Sequence, residues 1–351
     1  MAYTAGGFGM KAPHREVRTM TYARKTLVSL NDTAYYHVVA RCVRRAWLWG
    51  YDKYAGRDFS HRKQWVLERL RLLTAMFAID ACAYAILANH YHLVLHVDRA
   101  RAQAWSLQEV VSQWCRLFVA PPLVERWLNG QCSEVERMAA ETIIERWRER
   151  LFDISWFMRC LNEHIARLAN LEDGCKGRFW EGRFQSQALL DEAGLLTAMA
   201  YVDLNPIRAG IAATPEESSF TSIYERIRDL KAVDASAQQD GARARVPLRG
   251  FAASPASTRK VISFGLREYL ELVDWTGRRI VEGKAGAIEQ NIPPILRRLN
   301  IDVTAWERTM QPRGNVFGRA VGHVSRLRSH AQRLGQWWIR GLAWSRQLYG
   351  A

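Results

Sequence analysis

The segment 82-CAYAILANHYHLVLHV-97 decides the fold. It contains two apolar runs, 82–88 and 93–97, and the polar step at 89–91 is expected to interrupt or kink the chain between them. Short apolar runs bounded in this way are typical of neighbouring strands. The segment therefore predicts two strands that follow each other along the chain.

The residues before this segment supply a further strand and a helix. The stretch 35-YYHVVA-40 is aromatic and β-branched, as a strand requires, and 62-RKQWVLERLRLLTAMF-77 places apolar residues at helical spacing. The order strand, helix, strand, strand suggests a ferredoxin-like layer, which is an antiparallel sheet with helices packed on one face. We therefore expect an α+β fold.

The next part of the chain predicts a helical insertion at about 105–150. Two amphipathic helical patterns, 105–119 and 133–151, are separated by Pro121-Pro122. Their position after the predicted strands places them outside the ferredoxin-like layer.

Beyond the insertion the pattern returns to that of an α+β layer. A helix is predicted over 154–170, and the second half of 176–190 is interpreted as a strand. Asp191 is placed to cap a following helix over 192–204. These elements would complete the sheet and its covering helices.

Composition predicts the domain boundaries. Residues 1–30 carry Gly, Lys and Arg without periodicity and are expected to form a flexible basic segment, followed by the main domain over 31–230. Residues 231–250 are predicted to be a linker, because their Ala, Gln and Gly offer few side chains that can offset the entropy of ordering the backbone. A smaller, mostly helical, basic C-terminal domain is expected over 251–351.

The charge of the chain points to a polyanionic partner. The 351 residues have a formal net charge of +15 and a pI near 9.9, which favours nucleic acid over the weaker candidate, an acidic membrane surface. About half of this charge lies in residues 308–351, which contain eight arginines and no Asp or Glu. Within this segment we predict DNA contacts from Arg326, Arg328, Arg333 and Arg340.

Cysteine usage and hydropathy predict a cytoplasmic protein. The six cysteines contain no CxxC pair, so neither a disulfide framework nor a zinc ribbon is indicated. The first 30 residues lack the apolar core of a signal peptide. Residues 72–97 carry one acidic side chain and no Lys or Arg, but their Asn and His residues argue against a membrane span.

Asn89-His90-Tyr91-His92 is the sharpest chemical signal in the sequence. Residues two apart in a strand project from the same face, so both imidazoles can reach one metal ion. Two strand histidines that are satisfied by ordinary hydrogen bonds remain the alternative interpretation. His96 continues the alternation on the same face.

Tyr201 and Asn205 form a second candidate pair. They lie four residues apart in a predicted helix, so their side chains share one helical face and can converge on one point. Asn205 followed by Pro206 would equally suit the N-cap and first position of a new short helix.

The segment 177-GRFWEGRF-184 repeats Gly-Arg-Phe and interleaves guanidinium with aromatic groups. Such a surface can bind phosphates while bases stack on the rings. A bulged strand with its aromatic residues in the core is the alternative. The DNA-binding candidates here are Arg178, Trp180, Arg183 and Phe184.

Four of these stretches together resemble the REP-associated tyrosine transposases, bacterial relatives of the single-tyrosine HUH transposases. The stretches are 35-YYHVVARCVRR-45, 89-NHYHLVLHV-97, 177-GRFWEGRFQSQALL-190 and 200-AYVDLNPIRAG-210. The resemblance covers roughly residues 30–225 and implies the HUH nuclease fold for that part. The insertion and the C-terminal residues depart from the shortest members of the family.

The resemblance also implies the site and its chemistry. His90 and His92 would bind a divalent cation, Asn205 matches a third ligand, and Tyr201 would be the nucleophile. Arg208, which lies in the last of the four stretches, is a DNA-binding candidate. Imidazole ligands alone favour Zn²⁺ or Mn²⁺ over Mg²⁺, so the expectation of Mg²⁺ or Mn²⁺ rests on the resemblance.

The expected function is therefore metal-dependent cleavage and transfer of single-stranded DNA at REP-like hairpins, through a 5′-phosphotyrosine. The expected partner is single-stranded or hairpin DNA, with the protein a monomer or homodimer, cytoplasmic and associated with the nucleoid. A regulator that binds hairpin DNA or RNA on the same fold without cutting is the alternative.

Overall fold

The structure is a computed structural model. It describes residues 28–43, 50–52, 56–234, 245–252, 261–282, 292–311 and 318–350. Residues 1–27 of the expected flexible segment and residues 235–244 of the expected linker lie outside the described residues.

The described residues form nine strands and fourteen α-helices. The strands are β1 (Tyr35–Arg41), β2 (Tyr51–Asp52), β3 (Arg57–Asp58), β4 (Ile79–Ile86), β5 (His90–Val97), β6 (Gln185–Leu189), β7 (Phe251–Ala252), β8 (Ile262–Gly265) and β9 (Ala320–Val321). The helices of the first half are α1 (Arg62–Met76), α2 (Arg99–Ala104), α3 (Leu107–Cys115), α4 (Pro122–Leu128), α5 (Glu134–Arg150) and α6 (Ile154–Glu172). The later helices are α7 (Glu192–Asp203), α8 (Asn205–Arg208), α9 (Ser222–Asp234), α10 (Leu266–Glu282), α11 (Pro294–Arg298), α12 (Val303–Met310), α13 (Val324–Arg333) and α14 (Leu342–Tyr349). Of the helices described, none combines the length and apolar character needed to cross a membrane.

The centre of the fold is a five-stranded sheet in the order β4-β5-β1-β6-β9. Its first four strands are antiparallel neighbours, whereas β6 and β9 run parallel. The predicted order of strand, helix, strand and strand over 35–97 is present as β1, α1, β4 and β5, with the β2–β3 hairpin added between β1 and α1. The α+β class predicted from the sequence is confirmed.

One face of the sheet is apolar and carries the larger core. Tyr36 and Val38 of β1 lie beside Leu95 and Leu93 of β5, and all four side chains are buried. Helices α1 and α6 cover this face with their own buried apolar residues. The two-residue period of the strands therefore sends the odd-numbered residues of β1 and the even-numbered residues of β5 to the opposite face.

Helix α7 covers that opposite face, so the expectation of helices on one face alone is wrong. Val94 and Leu189 pack with Leu196 and Met199 of α7 in a second core cluster. Asp191 caps α7 as predicted, because its carboxylate accepts a hydrogen bond from Gly194 N at 2.8 Å. The sequence hid this arrangement because α7 is apolar on nearly every side and shows little amphipathic pattern.

The insertion contains three helices after α2 rather than the two predicted. The Pro121-Pro122 step begins α4 instead of only separating two helices, since Pro suits the first turn of a helix. Trp114 of α3 stacks on Trp147 of α5 with ring centroids 5.3 Å apart, and its ring meets Trp156 of α6 edge-on. The insertion is thus packed onto the α6 side of the molecule.

The C-terminal residues share the sheet and core of the main domain, in contrast to the separate domain predicted over 251–351. Strand β9 pairs with β6, with Ala320 opposite Ala188. The buried Tyr349 hydroxyl bonds to Thr197 Oγ1 of α7 at 2.9 Å. A two-residue strand has no periodicity that a sequence could reveal, which explains why the sequence did not predict this pairing.

The end of the predicted linker is also fixed to the sheet. Leu248 bridges to Ala81 of β4, and Arg249 N donates to Ala81 O at 2.8 Å. The buried Arg249 guanidinium pairs with Asp80 Oδ2 at 2.8 Å, while Arg101 pairs with Asp80 Oδ1 at 2.8 Å. Residues 245–250 therefore belong to the packed structure.

This ion cluster affects the ionisation of Asp80. Burial by itself opposes the charged carboxylate. His96 and the two guanidinium groups outweigh burial and hold the pKa of Asp80 below its usual range. Asp80 is therefore ionised at neutral pH, and its charge is balanced inside the protein.

Replacing Arg249 by Met should lower the free energy of unfolding at pH 7 by about 3 kcal/mol, because it leaves a buried carboxylate with one fewer partner. The folded-state pKa of Asp80 is depressed, so the stability that it contributes is present above the unfolded-state pKa and is lost as pH falls below about 4. The gap between wild type and variant should therefore shrink below about pH 4. Urea denaturation at pH 7 and below pH 4 measures both effects.

The matched control is Arg137→Met, which breaks the exposed ion pairs of Arg137 with Glu134 and Glu141 on α5. Solvent-exposed pairs contribute little, so its urea midpoint should stay close to that of wild type. Equal effects of the two substitutions would contradict a special contribution from the buried cluster.

Candidate functional site

A polar cleft of about 320 Å³ opens at the end of the sheet where β5 begins and α7 ends. It is lined by His37, Val39, Arg41, His90, His92, Gln185, Gln187, Tyr201, Asn205, Arg208 and Ala209. Three adjacent strands, β5, β1 and β6, therefore contribute to it, together with α7 and α8. Among these lining residues there is no Asp or Glu.

The two histidines predicted from the sequence lie side by side at one wall of this cleft. His90 and His92 of β5 have ring centroids 4.9 Å apart. His90 Nδ1 lies 2.6 Å from Asn89 Oδ1, an acceptor, which assigns the ring proton of His90 to Nδ1. The Nε2 atom of His90 then carries a lone pair that can bind a cation.

His92 is oriented by a chain of hydrogen bonds that crosses three strands. Gln187 Nε2 donates to Gly318 O at 2.8 Å, which turns Gln187 Oε1 toward His37 Nδ1, 2.6 Å away. His37 Nδ1 must then carry the proton, so His37 Nε2 accepts from His92 Nδ1 at 2.9 Å. The remaining nitrogen, His92 Nε2, therefore carries a lone pair like that of His90.

Burial keeps these three imidazoles neutral. It lowers the pKa of His37 to about 4, although the hydrogen bond to Gln187 acts in the opposite direction. Burial, helped by the charge of Arg41, lowers the pKa of His90 to about 4. Burial and the neighbouring histidines hold the pKa of His92 well below its usual range. Neutral imidazoles are the form that binds metal ions.

Tyr201 lies against the same histidines although it is far away in sequence. Its ring centroid is 6.1 Å from that of His92 and 6.3 Å from that of His37. Tyr201 is half-buried in the last turn of α7, and the guanidinium carbon of Arg208 lies 3.8 Å from the centre of its ring. Arg208, predicted to bind DNA, thus packs on Tyr201 and also donates to Gln311 O at 3.2 Å.

Asn205 lines the cleft one helical turn after Tyr201, as predicted. It is the first residue of α8, whose N-cap position belongs to Leu204, and no side chain caps this helix. The alternative interpretation of Asn205 as an N-cap is therefore wrong. The Asn205 side chain is buried.

The donor set of the cleft fits a divalent cation. His90 and His92 each have Nδ1 engaged by a neighbour and Nε2 left with a lone pair, which is the usual arrangement of metal-binding histidines. Asn205 can add an amide oxygen. Over the described part of the chain, no group of three or more His, Cys, Asp or Glu residues is arranged to hold a metal ion.

The Gly-Arg-Phe repeat divides into exposed and buried side chains. Arg178 and Arg183 are exposed, as DNA contacts require. Trp180 is buried, its ring meets Tyr91 edge-on, and its Nε1 donates to Asn162 O at 2.8 Å. The prediction that Trp180 stacks on bases is therefore contradicted, because its ring belongs to the core.

Other predicted DNA contacts lie in different places. Phe184 is half-buried against the larger core cluster. Arg326, Arg328 and Arg340 are exposed around α13 and the turn that follows it. Arg333 is exposed too, but it forms an ion pair with Asp32.

Sequence reasoning missed the second layer of this site. His37 occurs in the quoted stretch 35–45, yet only sheet pairing shows that it contacts His92. Gln187 lies in the stretch 177–190, for which the sequence predicts only a strand. The available signal was the alternation of polar residues in β1 and β6, which marks a polar patch on an otherwise buried face.

Comparisons with known proteins give one remote likeness. No protein-family model matches the chain, and no curated protein matches it. A solved structure of a REP-associated tyrosine transposase bound to a REP hairpin is similar at 12% identity and a TM-score of 0.33, over 66% of this chain and 93% of that chain. A TM-score this low carries no argument about function.

His37 should control the affinity of the cleft for cations. Replacing His37 by Leu removes the acceptor of His92 Nδ1 and frees the ring to change its tautomer, so the Kd for Mn²⁺ should rise about 10- to 100-fold. His37→Gln can restore an acceptor oxygen and should recover part of the affinity. Calorimetric titration with Mn²⁺ gives the Kd of wild type and of the two variants.

The matched control for this experiment is His61→Leu, which replaces a half-exposed histidine outside the cleft and should leave the Mn²⁺ affinity unchanged. If His37→Leu only lowers the melting temperature and binds Mn²⁺ as wild type does, His37 does not position His92 for a cation.

Proposed function

We propose that the chain is a metal-dependent single-strand DNA endonuclease and strand transferase with the HUH nuclease fold. In this proposal Tyr201 is the nucleophile, and His90, His92 and Asn205 hold a divalent cation. The metal is Mg²⁺ or Mn²⁺. Single-stranded or hairpin DNA of the REP type is the substrate class that follows from the resemblance of the four sequence stretches.

The observation that carries the proposal is the meeting of Tyr201 with the paired histidines in one cleft. His92 of β5 and Tyr201 of α7 are more than a hundred residues apart in sequence, yet their ring centroids lie 6.1 Å apart. An aromatic residue placed only for packing would not need two imidazoles with free Nε2 atoms beside it. Nucleophile and metal ligands at one point support phosphodiester chemistry.

The charge of the cleft suits an anionic substrate. Arg41 and Arg208 supply positive charge, and the lining residues include no carboxylate to repel a phosphate. When bound, the cation would neutralise charge on the phosphoryl oxygens. The guanidinium carbon of Arg208, 3.8 Å from the centre of the Tyr201 ring, places positive charge beside the proposed nucleophile.

The proposed reaction needs no external energy source, because each phosphoester bond that breaks is replaced by a new one. The Tyr201 oxygen loses its proton to water and attacks phosphorus, while the bond from phosphorus to the 3′-oxygen of the preceding nucleotide breaks. That oxygen leaves as a free 3′-hydroxyl after taking a proton from water. The new 5′-phosphotyrosine keeps the bond energy, so a later 3′-hydroxyl can reverse the step and join a different strand.

Replacing Tyr201 by Phe tests the central step. The variant should still bind single-stranded DNA and Mn²⁺ but form no covalent adduct, because the metal cannot supply the missing phenol oxygen. Removing one oxygen costs at most about 1 kcal/mol of stability. Denaturing electrophoresis of labelled DNA with the protein measures the adduct, and mass spectrometry should place the nucleotide of the wild-type adduct on Tyr201.

A normal cleavage rate in the Phe variant, or an adduct on another tyrosine, would overturn the proposal. Absence of any adduct with the wild-type protein over a range of hairpin and single-stranded substrates would instead favour a protein that binds without cutting.

Replacing both His90 and His92 by Ala should abolish cleavage while most of the DNA affinity remains, because phosphate contacts elsewhere dominate binding. Cleavage by wild type should require Mn²⁺ or Mg²⁺ and stop with chelator. The control is His164→Ala, which changes a half-buried histidine on α6 outside the cleft lining. Undiminished cleavage by the double variant would refute the metal site.

A further inference from the structure

The turn between α13 and α14 exposes two adjacent tryptophans. The relative exposure of Trp337 is 104% and that of Trp338 is 67%. Single apolar residues on a surface are ordinary, but two neighbouring indole rings form a large apolar surface in one place. Neither ring packs in either core cluster of the described structure.

The backbone beneath these rings is held in place. Ile339, which follows Trp338, is buried in the larger core cluster. Gln336 N, which precedes Trp337, donates to Ala331 O at the end of α13 at 2.9 Å. Both tryptophans are thus presented on a fixed turn, which lowers the entropy cost of binding a partner there.

The same turn is connected to the proposed active site. The backbone of Gly318 lies so close to Arg340 that a Cβ on Gly318 would be 2.1 Å from Arg340 O. Gly318 O accepts the hydrogen bond from Gln187 that begins the chain leading to His92. Trp337 is three residues from Arg340, so at most about 10 Å of backbone separates it from this contact.

The surroundings of the turn are basic. Residues 318–350 contain six arginines and no Asp or Glu. Arg326 and Arg328 of α13 and Arg340 of the turn are exposed. Exposed rings beside guanidinium groups are the combination that binds single-stranded nucleic acid, in which phosphates meet the cations and bases stack on the rings.

We propose that Trp337 and Trp338 form a stacking platform for unpaired bases of the DNA strand whose phosphodiester enters the cleft. The proposal rests on the proposed function for the identity of the strand. It gives the C-terminal residues a role in holding DNA beside Tyr201. The experiment must distinguish base stacking on these rings from a role of the rings in anchoring the protein to a membrane.

The experiment compares four proteins: wild type, Trp337→Ala/Trp338→Ala, Trp337→Phe/Trp338→Phe and Val119→Ala. Val119 is 91% exposed on the insertion and controls for the loss of exposed apolar surface elsewhere. Affinity for a short fluorescent oligothymidylate is measured with chelator present, so that no cleavage is required. An oligonucleotide of the same length with abasic sites, and vesicles of phosphatidylglycerol, serve as further probes.

The Ala/Ala variant should bind the oligothymidylate at least about fivefold more weakly than wild type, whereas the Phe/Phe and Val119 variants should stay within about twofold. The slope of log Kd against log salt should not change in the Ala/Ala variant, because stacking displaces no counterions. The abasic strand should bind wild type and the Ala/Ala variant alike.

Equal oligothymidylate affinity of wild type and the Ala/Ala variant would overturn the platform, as would a Phe/Phe variant as weak as Ala/Ala. Vesicle binding that is lost in Ala/Ala, with oligothymidylate affinity unchanged, would assign the rings to a membrane surface and also overturn it. These affinities are measured without cleavage. A wild-type protein that forms no adduct would therefore contradict the proposed nuclease function but not the proposed stacking of bases on Trp337 and Trp338.

Discussion

The antiparallel pairing of β1 with β5 is the constraint on which the site depends. Its register sets Val39 opposite His92, so that His37 lies on the diagonal, within hydrogen-bond reach of the His92 ring. A slip of one residue would turn His90 and His92 into the apolar face. Tyr91 opposes such a slip, because its buried ring lies between those two histidines in sequence and packs on Trp180 from the other side of the sheet.

The position of Tyr201 depends in turn on how closely α7 approaches the sheet. Gly194 permits that approach, since a Cβ there would lie 2.6 Å from Val321 O of β9. The C-terminal residues therefore contribute to the position of both Tyr201 and His92. Strand β9 limits how closely α7, which carries Tyr201, approaches the sheet, and Gly318 orients the hydrogen-bond chain that reaches His92. This dual contact gives a physical reason for a long C-terminal segment that shares the core.

Local patterns were enough to predict the elements that lie within one stretch of sequence. The strands of 35–97, the cap of α7 by Asp191 and the placement of Asn205 one turn after Tyr201 all follow from period, capping and helical spacing. Contacts that depend on pairing between distant segments could not be predicted from these local patterns. The bond between His37 and His92 and the parallel pairing of β9 with β6 each join residues that no local period relates. The sequence left two interpretations of Trp180 open, a ring exposed to bases and a ring in the core, and only the packing of the folded chain distinguishes them.

The electrostatics of the cleft would link binding of the proposed cation to binding of the proposed substrate. The described lining offers neutral imidazoles and amides beside Arg41 and Arg208, and it contains no carboxylate. A divalent cation held there adds positive charge that the protein itself does not balance, at a point where burial already disfavours charge on the histidines. In the proposed function a phosphodiester would supply the missing negative charge, so each partner would raise the affinity for the other by the same factor. Such a site would discriminate against neutral ligands and would hold its cation most firmly with DNA bound.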